Sequence, residues 1–274
     1  MAAQVNNVEP LPESGRVVYE KNPLVQVLLQ LRFPALLKIA SEPPSAFQDK
    51  IRSEYPVLTE LQPNVLGLPV GLPSSLAQAV QATLPVNIAV GYEFGSADGV
   101  WKVNLSRDFL SLSTSEYRRW EEFRGHLQTP MAALQGLYSP SFFTRIGLRY
   151  QDLIERSSLG LSDVQWSDLL QPHICGPLAV ANVAPAVEAT YGQTLIRFPE
   201  FSGRVRMNFG IVQKPNSSED CFLIDSDFFT DERIDIAHVS RILDYFNKQS
   251  GKLFRWCIKD RLHDALQPTA VVSA

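Results

Sequence analysis

The most direct chemistry in this chain is offered by two aspartates. Asp225 and Asp227 lie in the stretch CFLIDSDFF, residues 221–229. Alternate residues of a strand share a face, so the two carboxylates would stand roughly 7 Å apart on one side. Two hard oxygen ligands at that spacing suit a shared divalent cation, as in phosphoryl transfer, and the pair reads as a candidate metal site for phosphotransfer or hydrolysis. The same residues also fit a plainer role, with Asp225 ending a strand and Asp227 opening a cap.

The apolar run before this DxD resembles haloacid-dehalogenase and glycosyltransferase motifs, but no second acidic cluster or partner lysine sits where those families need one. The arginines form a second constellation. Arg32, Arg145, Arg149, Arg197, Arg204 and Arg206 all fall in stretches with strand periodicity. Arg145 and Arg149, and likewise Arg204 and Arg206, project to one face of their strands. Gln26, Gln30, Gln151, Gln193, Asn104 and Asn208 hold polar positions on the same stretches. Adjacent strands would then make a sheet with one apolar face and one Arg/Gln/Asn face. Planar guanidinium forks suit phosphate or carboxylate, so these six arginines are candidate anion ligands. The alternative is a solvated face whose arginines are answered by nearby Asp and Glu.

Other chemistry is thin. No GxSxG, Walker loop, GxGxxG or HExxH occurs, and nothing calls for a cofactor. His126, His173, His238 and His263 have no ligand spacing, and no RNP-type aromatic pattern supports RNA reading. Cys175, Cys221 and Cys257 are far apart without CxxC spacing, which reads as buried reduced thiols and suits a cytoplasm. The 25 Lys and Arg against 29 Asp and Glu give a net charge of −4, which argues against indiscriminate nucleic-acid binding. No apolar run approaches the roughly 18–20 residues of a membrane helix, and the opening MAAQVNNVEPLPESG has neither the basic nor the apolar region of a signal peptide.

The elements that must position these residues follow from periodicity. NPLVQVLLQLRFP (22–34) alternates as a strand, FQDKIRSEY reads as a short helix, and VNIAVGYEF, VWKVNLS and FLSLST form a meander. SEYRRWEEFRGHLQTPMAALQGLY is helical, with Pro130 expected to kink or divide it. The order then recurs. FFTRIGLRYQDLIE (142–155) is a strand, and SDVQWSDLLQ (162–171) a short helix with Ser162 as N-cap. VEATYGQTLIRF, RVRMNFGIV and CFLIDSDFF are strands, and one long helix runs from Asp235 to about Leu266, bent at Ser250-Gly251, with Ser250 filling one slot of its apolar stripe.

Each half also holds an uncharged, proline-containing excursion, Leu61 to Tyr92 and Leu169 to Val187. Loops without charge either cover a core or meet another protein. The pattern predicts an α+β fold: a tandem duplication of a β-α-β-β-β-α unit, each antiparallel sheet packed on a long helix, of helix-grip or TBP-like kind. The expected divisions are a loose arm at 1–19, units at 20–140 and 141–266, and a tail at 267–274.

NPLVQVLLQLRFP, RIGLRYQDLIE, and FLIDSDFF followed by a long helix ending IKDRLHDAL are together similar to a sporadically distributed bacterial family of unknown function. Its members share an NPLxEVxxQLRFP opening and a GLRYxNxI strand, and the resemblance spans about residues 20–266. This chain departs from the pattern at Gln26 and Asp152, where members carry Glu and Asn. The resemblance implies a bacterial cytoplasmic accessory protein and supplies no reaction, cofactor or site. Taken together, the expectation is a non-enzymatic binding or adaptor protein of a bacterial accessory system, of the mobile-element or defence kind. It would act through its Arg/Gln-rich sheet face and apolar loops on a protein partner or as a homo-oligomer, with no membrane association. The alternatives are nucleic-acid or nucleotide binding through the arginine face, and metal-dependent phosphotransfer at Asp225 and Asp227.

Overall fold

Alternation of apolar side chains decides which residues become strands, and the apolar phase of each strand turns toward the helices. The computed structural model describes residues 8–61, 91–214 and 219–271. In chain order its elements are β1 (Val17–Tyr19), β2 (Leu24–Arg32), α1 (Leu37–Ser41), α2 (Ser45–Ile51), β3 (Val57–Leu61), β4 (Gly91–Gly95), β5 (Trp101–Ser106), β6 (Phe109–Thr114) and α3 (Trp120–Tyr138). They continue with β7 (Arg145–Ile154), α4 (Trp166–Leu169), α5 (Pro172–Cys175), β8 (Tyr191–Arg197), β9 (Arg204–Gln213), β10 (Asp220–Thr230), α6 (Val239–Cys257), α7 (Asp260–Ala265) and β11 (Pro268–Ala270).

The fold is mixed α+β, built on a nine-stranded antiparallel sheet in the order β3-β4-β5-β6-β2-β7-β10-β9-β8. β2 and β7 lie side by side at its middle, pairing Leu29 with Leu148 and Leu31 with Ile146. These residues, with Val103, Leu112, Val205 and Phe228 on the strands either side, are buried in one core with the long helices. Phe228 meets Phe246 of α6 at 6.2 Å between ring centroids, and Trp101 meets Phe123 of α3 at 5.7 Å. Full burial of such a side chain contributes roughly 1.5–3 kcal/mol.

Several sequence expectations need correction. Pro130 does not divide α3, which runs through it. Proline lacks the N–H that would bond the carbonyl four residues back, and the Tyr55 hydroxyl donates to that His126 carbonyl at 3.0 Å instead. The last helix is not single. α6 continues through Ser250-Gly251 and stops at Cys257, because Ile258 turns extended and bridges to Leu170. The helix expected at 162–171 shrinks to α4, so Ser162 caps nothing there. The N-terminal arm is docked from residue 8 on. Leu11 is buried, Glu9 accepts from Tyr245 and Gln249, Glu13 pairs with Lys252, and β1 pairs with β11 in the segment read as a tail. Polarity suggested a loose arm, but those polar groups find partners on α6. Of the uncharged excursions, 62–90 lies outside the described residues. The second buries Ile174, Cys175 and Leu178 while leaving Val180 and Val183 exposed. All three cysteines are buried and free.

β8 sits against β9 with almost no clearance at Gly210. A Cβ there would stand 2.2 Å from the Thr190 carbonyl oxygen. Because backbone cannot yield as a side-chain tip does, Gly210→Ala is expected to cost about 2–3 kcal/mol in urea unfolding and to loosen β8 in hydrogen exchange.

Candidate functional site

The register of the central strands places the six candidate arginines on the sheet face turned away from the core. Four of them face aspartates. Arg149 is buried on β7 and grips Asp225 of β10 through two 2.6 Å hydrogen bonds, from Nε and Nη2. Arg145 donates to Asp227 at 2.8 Å and lies 3.6 Å from Asp231, which also faces Arg204 at 3.8 Å. Arg32 lies 3.6 Å from Asp108. Arg206 stacks over the Phe229 ring at 5.3 Å, and Arg197 stands opposite Arg204 at the sheet's edge. Burial works against the Arg149 charge, yet the Asp225 carboxylate outweighs it and holds the guanidinium pKa above its ordinary value.

The structure therefore turns the DxD toward guanidinium groups, with Asp225 on Arg149 and Asp227 on Arg145. Asn208 extends the network, donating to Asp225 at 3.4 Å and accepting from Gln193 at 2.7 Å and Tyr191 at 3.1 Å. Among the described residues no group of three or more His, Cys, Asp or Glu is placed to hold a metal ion. Gly147 makes room for this arrangement, since a Cβ there would stand 2.2 Å from Nη1 of Arg145. The polar face is thus substantially neutralised from within. Beside it, Gln151 is only 1% exposed and its amide makes no hydrogen bond.

A different place in the molecule has space and unspent polarity. On the helix side of the sheet, a cavity of about 490 Å³ lies between β7, β10, α6, the loop before α3 and the N-terminal arm. Its floor is Tyr150, Asp152 and Ser226, three polar residues in the apolar phase of their strands. A β-bulge in β2 brings Leu24 opposite Asp152 at this point. The α6 wall is Asn247, Ser250 and Gly251, the polar gap in that helix's apolar stripe. Tyr150 donates to Asn247 Oδ1 at 3.0 Å. The lining carries Arg16, Arg118, Arg119, Lys248, Lys252 and Arg255 against Asp152 and Asp244. Asp244 is already bound by Trp120 Nε1 at 2.7 Å and Arg124 at 3.0 Å.

Asp152 is the unsatisfied member. It is 7% exposed, and no described residue hydrogen-bonds its carboxyl. Burial, reinforced by the Asp225 charge, pushes its pKa from 3.8 to about 8. A strongly perturbed group in a cavity is a candidate for a working site. Sequence reading passed over this cluster because it weighed charges by motif, not by phase. The available signal was Asp152, Ser226 and Ser250 each interrupting an apolar periodicity. No family model and no curated protein matches the chain.

Two outcomes follow. A raised carboxyl pKa means that the unfolded chain ionises first, so Asp152 destabilises the fold increasingly as pH rises from about 4 to about 8. Asp152→Asn should gain stability over the native chain by up to about 1.4 kcal/mol per pH unit across that window and level off above it, measured by urea unfolding at each pH. The groups coupled to it are Asp225, Tyr19, Tyr150 and Cys257. On the opposite face, Arg149→Ala strands a buried carboxylate and should cost about 3–5 kcal/mol. Arg149→Met combined with Asp225→Leu should restore most of that loss.

Proposed function

We propose that this chain is a binding protein, an adaptor of a bacterial accessory system, that holds its partner through the open edge of β8. The first partner is a second copy of the same chain. The observation that carries the reading is an unblocked strand edge bearing apolar side chains. Among the described residues β8 pairs only with β9, which leaves its outer row of backbone N–H and C=O groups open. Leu195 is 58% and Tyr191 47% exposed on it, and Val180 and Val183 stand exposed in the uncharged segment that leads to it. Soluble proteins usually block such an edge with charge or proline, but β8 carries Arg197 alone. Two β8 edges brought together antiparallel about a two-fold axis match residue for residue, as an isologous interface requires. Four of the six sheet-face arginines face aspartates, which sets nucleic-acid binding there behind this reading.

The likeness to the sporadically distributed bacterial family forms part of the proposal, resting on the strands now seen as β2 and β7 and on the β10–α6 segment. So does duplication of a half-length unit. Its support is that β2 and β7 sit together at the sheet's middle, β4-β5-β6 and β8-β9-β10 extend outward on either side, and α3 and α6 are 19 residues each.

Light scattering at micromolar concentration should give a dimer for the native chain and a monomer for Leu195→Lys, with unchanged far-UV circular dichroism. A native chain that stays monomeric to millimolar concentration rejects the β8 contact.

A further inference from the structure

We infer that the cavity between β7, β10, α6 and the arm is a binding site for a purine nucleoside monophosphate, with the base at the floor and the phosphate at the rim. This inference is independent of the β8 contact. The size fits, since about 490 Å³ lies within the range of small-molecule sites.

The two ends of the cavity differ in chemistry. At the rim, Arg118, Arg119 and Lys248 are exposed and make no hydrogen bond or ion pair with a described residue. Arg16 and Lys252 are held by Glu121 and Glu13, and Arg255 by Asp260. Glu13 and Glu121 act on Lys248 and Arg119 through charge alone, without a close contact, so Arg118, Arg119 and Lys248 can turn to a dianion, and phosphate is the anion that takes several donors at once. At the floor, the Asp152 carboxyl and the Ser226 hydroxyl make no hydrogen bond with a described residue, although both residues are more than nine-tenths buried. Buried polar groups without partners are rare unless a ligand supplies them. Tyr19, Tyr117 and Phe254 add aromatic side chains to the lining.

A carboxyl group reads the edge of a purine through two parallel hydrogen bonds. Protonated, it donates to adenine N1 and accepts from the N6 amino group. Ionised, it accepts from guanine N1–H and N2–H. The proton that Asp152 retains near neutrality favours the first arrangement.

Isothermal titration at pH 7 with AMP, GMP, adenosine and inorganic phosphate tests the site. AMP should bind at least tenfold more tightly than adenosine or phosphate alone. GMP binding in its place supports the same site with the carboxylate ionised. Lys248→Ala with Arg119→Ala should weaken AMP at least tenfold and leave adenosine unchanged. Gly251→Leu provides the control for folding, because a Cβ at Gly251 meets nothing within 4 Å and leucine favours a helix. That variant should melt no lower than the native chain yet lose AMP binding. The proposal is overturned if neither nucleotide binds at millimolar concentration, if phosphate alone binds as tightly as AMP, or if Gly251→Leu binds AMP undiminished.

Discussion

The pairing of β2 with β7 is the constraint on which the rest depends. It joins the strands of residues 24–114 to those of 145–230 in one sheet, and its buried pairs are Leu29 with Leu148, Leu31 with Ile146 and Val27 with Tyr150. A one-residue slip would turn every core leucine outward, so the apolar phase and the ladder enforce one register. That register sets both chemical regions. It puts Arg149 and Asp225 on one face of the sheet, and Tyr150, Asp152 and Ser226 on the other.

The two regions are electrostatically linked through the thickness of the sheet. Asp225 is compensated by a bidentate guanidinium on its own face, and its negative charge still raises the pKa of Asp152 on the opposite face. Ionising a second carboxylate beside the first is unfavourable in a medium of low effective dielectric. Burial is the main reason that Asp152 keeps its proton, and the Asp225 charge adds to it. A carboxylate on one side of the sheet thus reinforces the protonation state of a group on the other.

Much of this was legible in the sequence where a single period ran uninterrupted. β7, β9, β10 and α3 follow from alternation or helical spacing, and the arginines fall on one face because the period of a strand is two. The short elements were not legible. β3 (VLTEL) has apolar residues that do not alternate, β11 (PTA) is too short to mark a phase, and β1 is held by pairing with a segment some 250 residues away. The end of α6 depends on Ile258 bridging Leu170, a tertiary contact that overrides local propensity. The cavity was hidden for another reason. Its residues look like flaws in three separate periodic patterns, and only the fold brings Asp152, Ser226 and Ser250 to one place.

The β1–β11 ladder fastens Val17 to Ala270, and Arg16 accepts a further hydrogen bond from Val271. Because these strands run antiparallel, tension applied outward at residues 16 and 271 would open the ladder one bond at a time, not shear it all at once. Residues 14–19 also wall the cavity. Mechanical load or a bulky fusion at both positions would therefore be felt first as a breach in that wall, well before the nine-stranded sheet yielded.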